Sequence, residues 1–145
     1  EGVMDVSKML IAAGFAAVLS LSPAAPARAG DLSGAQLTCY VDTYAFDVPQ
    51  AQWCHSTWTP GTANNPSVAF FEVAGLPAGS YSYAWTDLET GQTPSGCGNV
   101  QYCLVPIATE TRGDGEARLR VVVTDLATGA QRTLDATAYY WDGYT

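Results

Sequence analysis

Glu116-Ala-Arg-Leu-Arg-Val-Val-Val-Thr-Asp125 alternates as a half-buried strand does, with Leu119, Val121 and Val123 on one face and Arg118, Arg120 and Val122 on the other. Asp125-Leu-Ala-Thr-Gly129 then turns the chain, and Gln131 to Trp141 returns. The return puts Leu134, Ala136, Ala138 and Tyr140 on one face and Thr133, Asp135, Thr137, Tyr139 and Trp141 on the other. Two facing strands joined by an Asp-initiated, Gly-closed turn form a hairpin. The turn recurs: Thr86-Asp-Leu-Glu-Thr-Gly91 differs from Thr124-Asp-Leu-Ala-Thr-Gly129 at one position in six. The flanks do not match, so this is shared turn chemistry and not a domain repeat.

Upstream the same grammar continues. Leu37, Cys39 and Val41 alternate with Thr38 and Tyr40, and Val68 to Val73 reads as another strand. Tyr81, Tyr83 and Trp85 alternate with Ser82, Ala84 and Thr86, and three such rings on one face must be largely buried. Tyr102 to Ile107 is a short strand whose Pro106 suits a sheet edge. Asp47 to Pro66 breaks into Pro, Gly, Asn and Thr, and reads as a loop pinned by Cys54, with a seventh strand near Trp53. Six or seven short strands separated by turn residues predict an all-β antiparallel sandwich.

Tyr83-Ala-Trp85, Leu119-Arg-Val-Val-Val-Thr-Asp125 and Gly129 together resemble the immunoglobulin-like modules of bacterial secreted proteins, the broad class that holds PKD and fibronectin type III domains. The resemblance runs from about Gln36 to Trp141. It implies an immunoglobulin-like β-sandwich in which the Trp lies on a central strand between the sheets. The Leu119–Val123 strand carries no cysteine, and the Trp-Asp-Phe-Gly-Asp-Gly signature of PKD domains is absent.

The N-terminus has a different character. Lys8 precedes the apolar run Met9 to Leu21, and Ser22-Pro-Ala-Ala-Pro-Ala-Arg-Ala29 follows. The run is too short to cross a bilayer as a helix and suits a secretory signal, with Ala27 and Ala29 as the small residues before the cleavage point. The expected organisation is a signal peptide over 1–29, a lead-in over 30–34 and the sandwich over 35–145. The expected location is secreted or periplasmic, with no membrane insertion after cleavage.

All four cysteines fall beyond that leader: Cys39, Cys54, Cys97 and Cys103. An even count in an exported domain reads as two disulfides. Three pairings are open; local loop closure favours Cys39–Cys54 and Cys97–Cys103, each contributing ~2–3 kcal/mol. Zinc fails on spacing, because no Cys-x2-4-Cys pair exists and His55 is the sole histidine. The chain carries 14 acidic and 6 basic residues for a net charge of −8. Such a surface repels phosphate, so neither nucleic acid nor an anionic membrane is an expected partner.

No catalytic constellation appears. His55 adjoins an oxidised cysteine, and no Gly-x-Ser-x-Gly, phosphate loop or His-Glu-x-x-His is present. Carboxylate pairs from Glu72, Asp87, Glu89 or Asp135 read as solvated charge, so neither an enzyme nor a cofactor is expected. Asp87 with Glu89, and Asp114 with Glu116, place hard oxygen ligands in turns without the density of a calcium loop. Arg112-Gly-Asp114 is ordinary turn sequence. The aromatics are more informative: Tyr40 and Tyr44, with Tyr139 and Trp141, occupy the polar faces of the first and last strands. If those strands share a sheet, the four rings form one outer surface. That surface suits an unknown protein partner or, as the alternative, a polysaccharide.

Overall fold

The computed structural model describes residues 30–42, 48–58 and 68–143. The expected signal peptide and Tyr44 lie outside them. Eight strands form among these residues: β1 Gln36–Val41, β2 Gln50–Ala51, β3 Trp53–Thr57, β4 Val68–Ala74, β5 Tyr81–Asp87, β6 Tyr102–Pro106, β7 Glu116–Asp125 and β8 Gln131–Trp141. They make two four-stranded sheets, β2-β1-β4-β6 and β3-β8-β7-β5, packed as an immunoglobulin-like sandwich.

Strand alternation dictates what lies between the sheets. Leu37, Cys39 and Val41 of β1 and Ala69, Phe71 and Val73 of β4 meet Trp85 of β5, Leu119, Val121 and Val123 of β7, and Ala136, Ala138 and Tyr140 of β8. Trp85 and Phe71 are the largest fully buried side chains. Trp85 packs between the sheets as the resemblance implied, but on an edge strand: among the described residues β5 pairs with β7 alone. Its indole Nε1 donates to Val100 O at 2.8 Å, and Asn99 Oδ1 accepts the Tyr83 N–H at 2.7 Å. The loop before β6 thus lies along β5 and covers its backbone. Tyr81 and Tyr83, expected inside with Trp85, are only half-buried for the same reason.

Both disulfides pair locally, Cys39–Cys54 and Cys97–Cys103. The first joins β1 of one sheet to β3 of the other; the second ties the loop to the start of β6. The repeated turns are also the same object. Asp87 Oδ1 accepts the Glu89 and Thr90 N–H groups, Asp125 Oδ1 accepts that of Ala127, and each glycine closes its turn on the Asp carbonyl. Gly91 and Gly129 take the left-handed conformation at φ 70° and 73°. Their outcomes differ, because the second turn joins paired strands whereas the first releases the chain to the opposite sheet.

The segment read as a loop with a seventh strand near Trp53 holds that strand, β3, and a second short one, β2. The β3 alternation is short and its inward residues are Cys54, Ser56 and Trp58, so hydrophobicity alone does not reveal its place in a sheet. The structure shows β2 pairing with β1, then Gln52 at φ 69°, then β3 pairing parallel with β8. Gln52 is the switch between sheets: its N–H donates to Leu37 O, and its C=O accepts the Thr137 N–H, both at 3.0 Å. This corrects the placement of the first and last strands. β3 takes the position beside β8, and β1 lies in the other sheet.

Candidate functional site

Because β1 and β8 occupy different sheets, Tyr40 does not share a surface with Tyr139 and Trp141. Tyr40 projects from the outer face of the β2-β1-β4-β6 sheet, where Phe70 stacks on it at 5.0 Å and Tyr102 stacks on Phe70 at 5.9 Å. Tyr139 and Trp141 project from the opposite outer face. There the structure supplies neighbours that composition did not suggest, because parallel β3 aligns His55 with Tyr139 and Thr57 with Trp141.

The result is a row of four rings. Trp53 stacks on His55 at 5.5 Å, His55 on Trp141 at 5.2 Å, and Trp141 on Tyr139 at 5.9 Å, with interplanar angles of 16–30°. Trp53 is 52% exposed and Trp141 42%. Rings lying flat and side by side keep their centres roughly 6.5 Å apart, given their own width and a carbon contact of about 3.7 Å. These centres are slightly closer, so neighbouring rings touch as a strongly offset stack. The row is therefore one continuous aromatic surface, with both indoles about half exposed. His55 is a spacer between two indoles.

An acidic cleft adjoins the row. Glu116 of β7 lies opposite Tyr139 of β8, and it also lines an open cleft of about 610 Å³ together with Asp87, Glu89 and Asp114. The two carboxylate pairs that looked separate in sequence are thus brought together, since β5 ends at Asp87 beside the beginning of β7. The floor between them is apolar, formed by Val105, Ile107 and Leu119, with Arg118 at the rim. The charge of Asp114 and a hydrogen bond to it raise the pKa of Glu89, with smaller contributions from burial, Asp87 and Glu116. Among the described residues no three His, Cys, Asp or Glu side chains converge as a metal site.

The Arg112-Gly-Asp114 turn is divided between two environments. The Arg112 guanidinium lies over the Trp58 ring at 5.9 Å, in a smaller cleft with Thr111 and Asp142. Asp114 belongs to the acidic cleft and accepts the Glu116 N–H. The Thr111 hydroxyl donates to the Asp142 carboxylate and is the main cause of its lowered pKa. On the outer face of β7 and β8, Arg120 makes a two-point ion pair with Asp135 at 2.7 Å for each contact. That pairing holds the Asp135 pKa down and removes it from any carboxylate pair.

Sequence reasoning missed Trp53, His55, Phe70 and Tyr102 as surface aromatics. The available signal was the Trp53, His55, Thr57 alternation inside Trp53-Cys-His-Ser-Thr-Trp58, which marks one outer face of a strand.

No family model matches the chain, and no curated protein matches it. Among solved structures it is similar to the solution structure of the PKD domain (329-428) from human KIAA0319. The identity is 14%, over 75% of this chain and 84% of that one, with a TM-score of 0.41.

Proposed function

We propose that the chain is an exported, non-enzymatic interaction module that contacts a partner protein through the Trp53–His55–Trp141–Tyr139 row. One observation carries the reading: the rings are contiguous, in offset contact along the row, while two indoles remain about half exposed. Exposed tryptophan and tyrosine clustered in a rigid strand pair are what protein contacts draw their affinity from. A sugar platform calls for separated coplanar rings with carboxylates between them, and these rings are in contact with one another. The two disulfides support export to an oxidising compartment, secreted or periplasmic. Tyr40, with Phe70 and Tyr102 on the other sheet, belongs to a separate surface and not to this contact.

The test compares the oxidised chain with Trp53→Ala/Trp141→Ala, using each to capture proteins from the native envelope and culture medium by crosslinking. A panel of insoluble polysaccharides is run in parallel. The expected result is an identified protein captured by the unmodified chain and lost with the variant. Polysaccharide binding that the variant loses, with no protein captured, would reverse the assignment in favour of a carbohydrate-binding module.

A further inference from the structure

We propose that β3 is the seam of a two-fold dimer, pairing antiparallel with β3 of a second copy of this chain about an axis at His55. The proposal goes beyond the contact made through the aromatic row and does not rest on it. β3 is the outermost strand of its sheet, with β8 on one side and no strand on the other among the described residues. It bonds β8 through alternate residues. The Thr137 N–H donates to Gln52 O and the Trp58 N–H to Trp141 O. With the parallel register of Trp53 on Thr137 through Thr57 on Trp141, these bonds commit the backbone of Cys54 and Ser56 to β8. The N–H and C=O groups of Trp53, His55 and Thr57 therefore point away from β8 into the open edge, and all three side chains are exposed.

Sandwiches block such edges, because a row of free donors and acceptors is a template for another strand. The other three edge strands here carry a block. β2 is two residues long and ends at the left-handed turn of Gln52. β5 is capped by Asn99, whose side chain accepts the Tyr83 N–H. β6 ends in Pro106, which has no N–H to offer. β3 has no such device: Trp53–Thr57 contains no proline, lysine, arginine or carboxylate, and neither does Thr137 to Trp141 beside it.

The pattern of the free groups selects the second copy. They stand at 53, 55 and 57, symmetric about His55, so an antiparallel copy centred there is in register with itself. His55 exchanges both its bonds with His55 of the second copy, and Trp53 of each copy meets Thr57 of the other. Charge agrees. The chain carries a net charge of −8, so two copies repel over most of their surfaces, whereas this edge sets no like charges opposite one another. The axis stands perpendicular to the sheet, so two four-stranded sheets become one. The two aromatic rows then meet at His55 on a single outer face.

Sedimentation equilibrium of the oxidised chain from roughly 1 to 500 μM covers the range in which weak dimers form. The expected result is a monomer–dimer equilibrium that tightens at high salt, because screening relieves the repulsion between copies. Amide exchange should slow at His55 and Thr57 as the dimer fills. Thr57→Pro deletes an outward N–H and none that β8 uses, and is expected to weaken the dimer about tenfold or more. Should that variant fail to fold, a charge pair reads the register. His55→Glu and His55→Lys each set like charges across the axis and are expected to be monomers, whereas their equimolar mixture should associate about tenfold more tightly than either alone. A monomer at every concentration and salt would overturn the proposal. So would a dimer that protects Tyr102 and Leu104 of β6 instead, one that Thr57→Pro leaves unchanged, or a mixture no tighter than its components.

Discussion

Glu116 on β7 stands directly opposite Tyr139 on β8, and that one cross-strand pair joins the aromatic row to the acidic cleft. The pair ends the β7–β8 ladder, and β7 extends three residues beyond its last pairing with β5, at Leu119. The protruding end of β7 faces β8 on one side and open space on the other.

That open space concentrates negative charge, which makes Glu89 a source of pH-dependent stability. Its folded pKa is raised, chiefly by Asp114. Stability from this group is therefore complete below its unfolded pKa and declines as pH rises through the folded value. Glu89→Gln is expected to raise the melting temperature at pH 7, with the difference closing below about pH 4, where the unfolded carboxyl is also protonated. Asp135 and Asp142 have lowered pKa values, so their contributions are present at neutral pH and fade as pH falls. The informative quantity is the difference between the two melting curves, measured by calorimetry across pH 3–8. A constant difference over that range would contradict the assignment.

The two Asp-Gly turns should tolerate loss of their aspartates unequally. Asp125 is 2% exposed, so removing its carboxylate leaves the Ala127 N–H without its acceptor in a place water reaches poorly. Asp125→Ala is expected to cost about 1–2 kcal/mol, and Asp125→Asn clearly less. Asp87 makes the equivalent bonds in a half-exposed turn, where water can replace them, so Asp87→Ala should cost less than about 1 kcal/mol. Urea unfolding of the three variants measures this ordering.

Gln52 occupies the left-handed region at φ 69° without being glycine. A side chain in that conformation costs about 1 kcal/mol or more. Gln52→Gly is expected to leave stability unchanged or raise it by up to about 1 kcal/mol, because the relief offsets the added freedom of the unfolded chain. Gln52→Val, β-branched, should lose stability by the same denaturant measurement.

Gly75 meets Gly34 backbone to backbone. A Cβ on Gly75 would lie 2.2 Å from the Gly34 carbonyl oxygen, and the residue sits at φ 74°. Gly75→Ala therefore combines a collision that no rotamer relieves with an unfavourable backbone conformation. The loss should exceed about 2 kcal/mol. If the variant does not accumulate as a soluble protein, Gly79→Ala is the control. Its Cβ meets only the Tyr81 side chain, so it should fold with a smaller loss.

Much of the architecture was legible because β-structure writes its faces into sequence with a period of two. The β7–β8 hairpin, the inward sets of β1 and β4, the Pro106 edge strand and the repeated turn all follow from alternation and from what Asp and Gly do in turns. The disulfides followed from loop closure. β2, two residues long, was not legible, and β3, which mixes Cys, His, Ser and Thr, was legible only as a seventh strand near Trp53 with no sheet partner. β3 owes its existence to backbone bonding with β8 and to the Cys39–Cys54 link.

By itself the sequence determined which side chains face inward, where the chain turns and which cysteines lie near enough to pair, because each depends on interactions among close neighbours along the chain. Only the tertiary structure decided which strands share a sheet. That choice separated Tyr40 from Tyr139 and Trp141, inserted His55 between two indoles and gathered Asp87, Glu89, Asp114 and Glu116 around one cleft. Sheet partners are selected by backbone bonds between segments far apart in the chain, such as the one from the Thr137 N–H to Gln52 O. Those bonds leave no mark in the side-chain alternation of either strand.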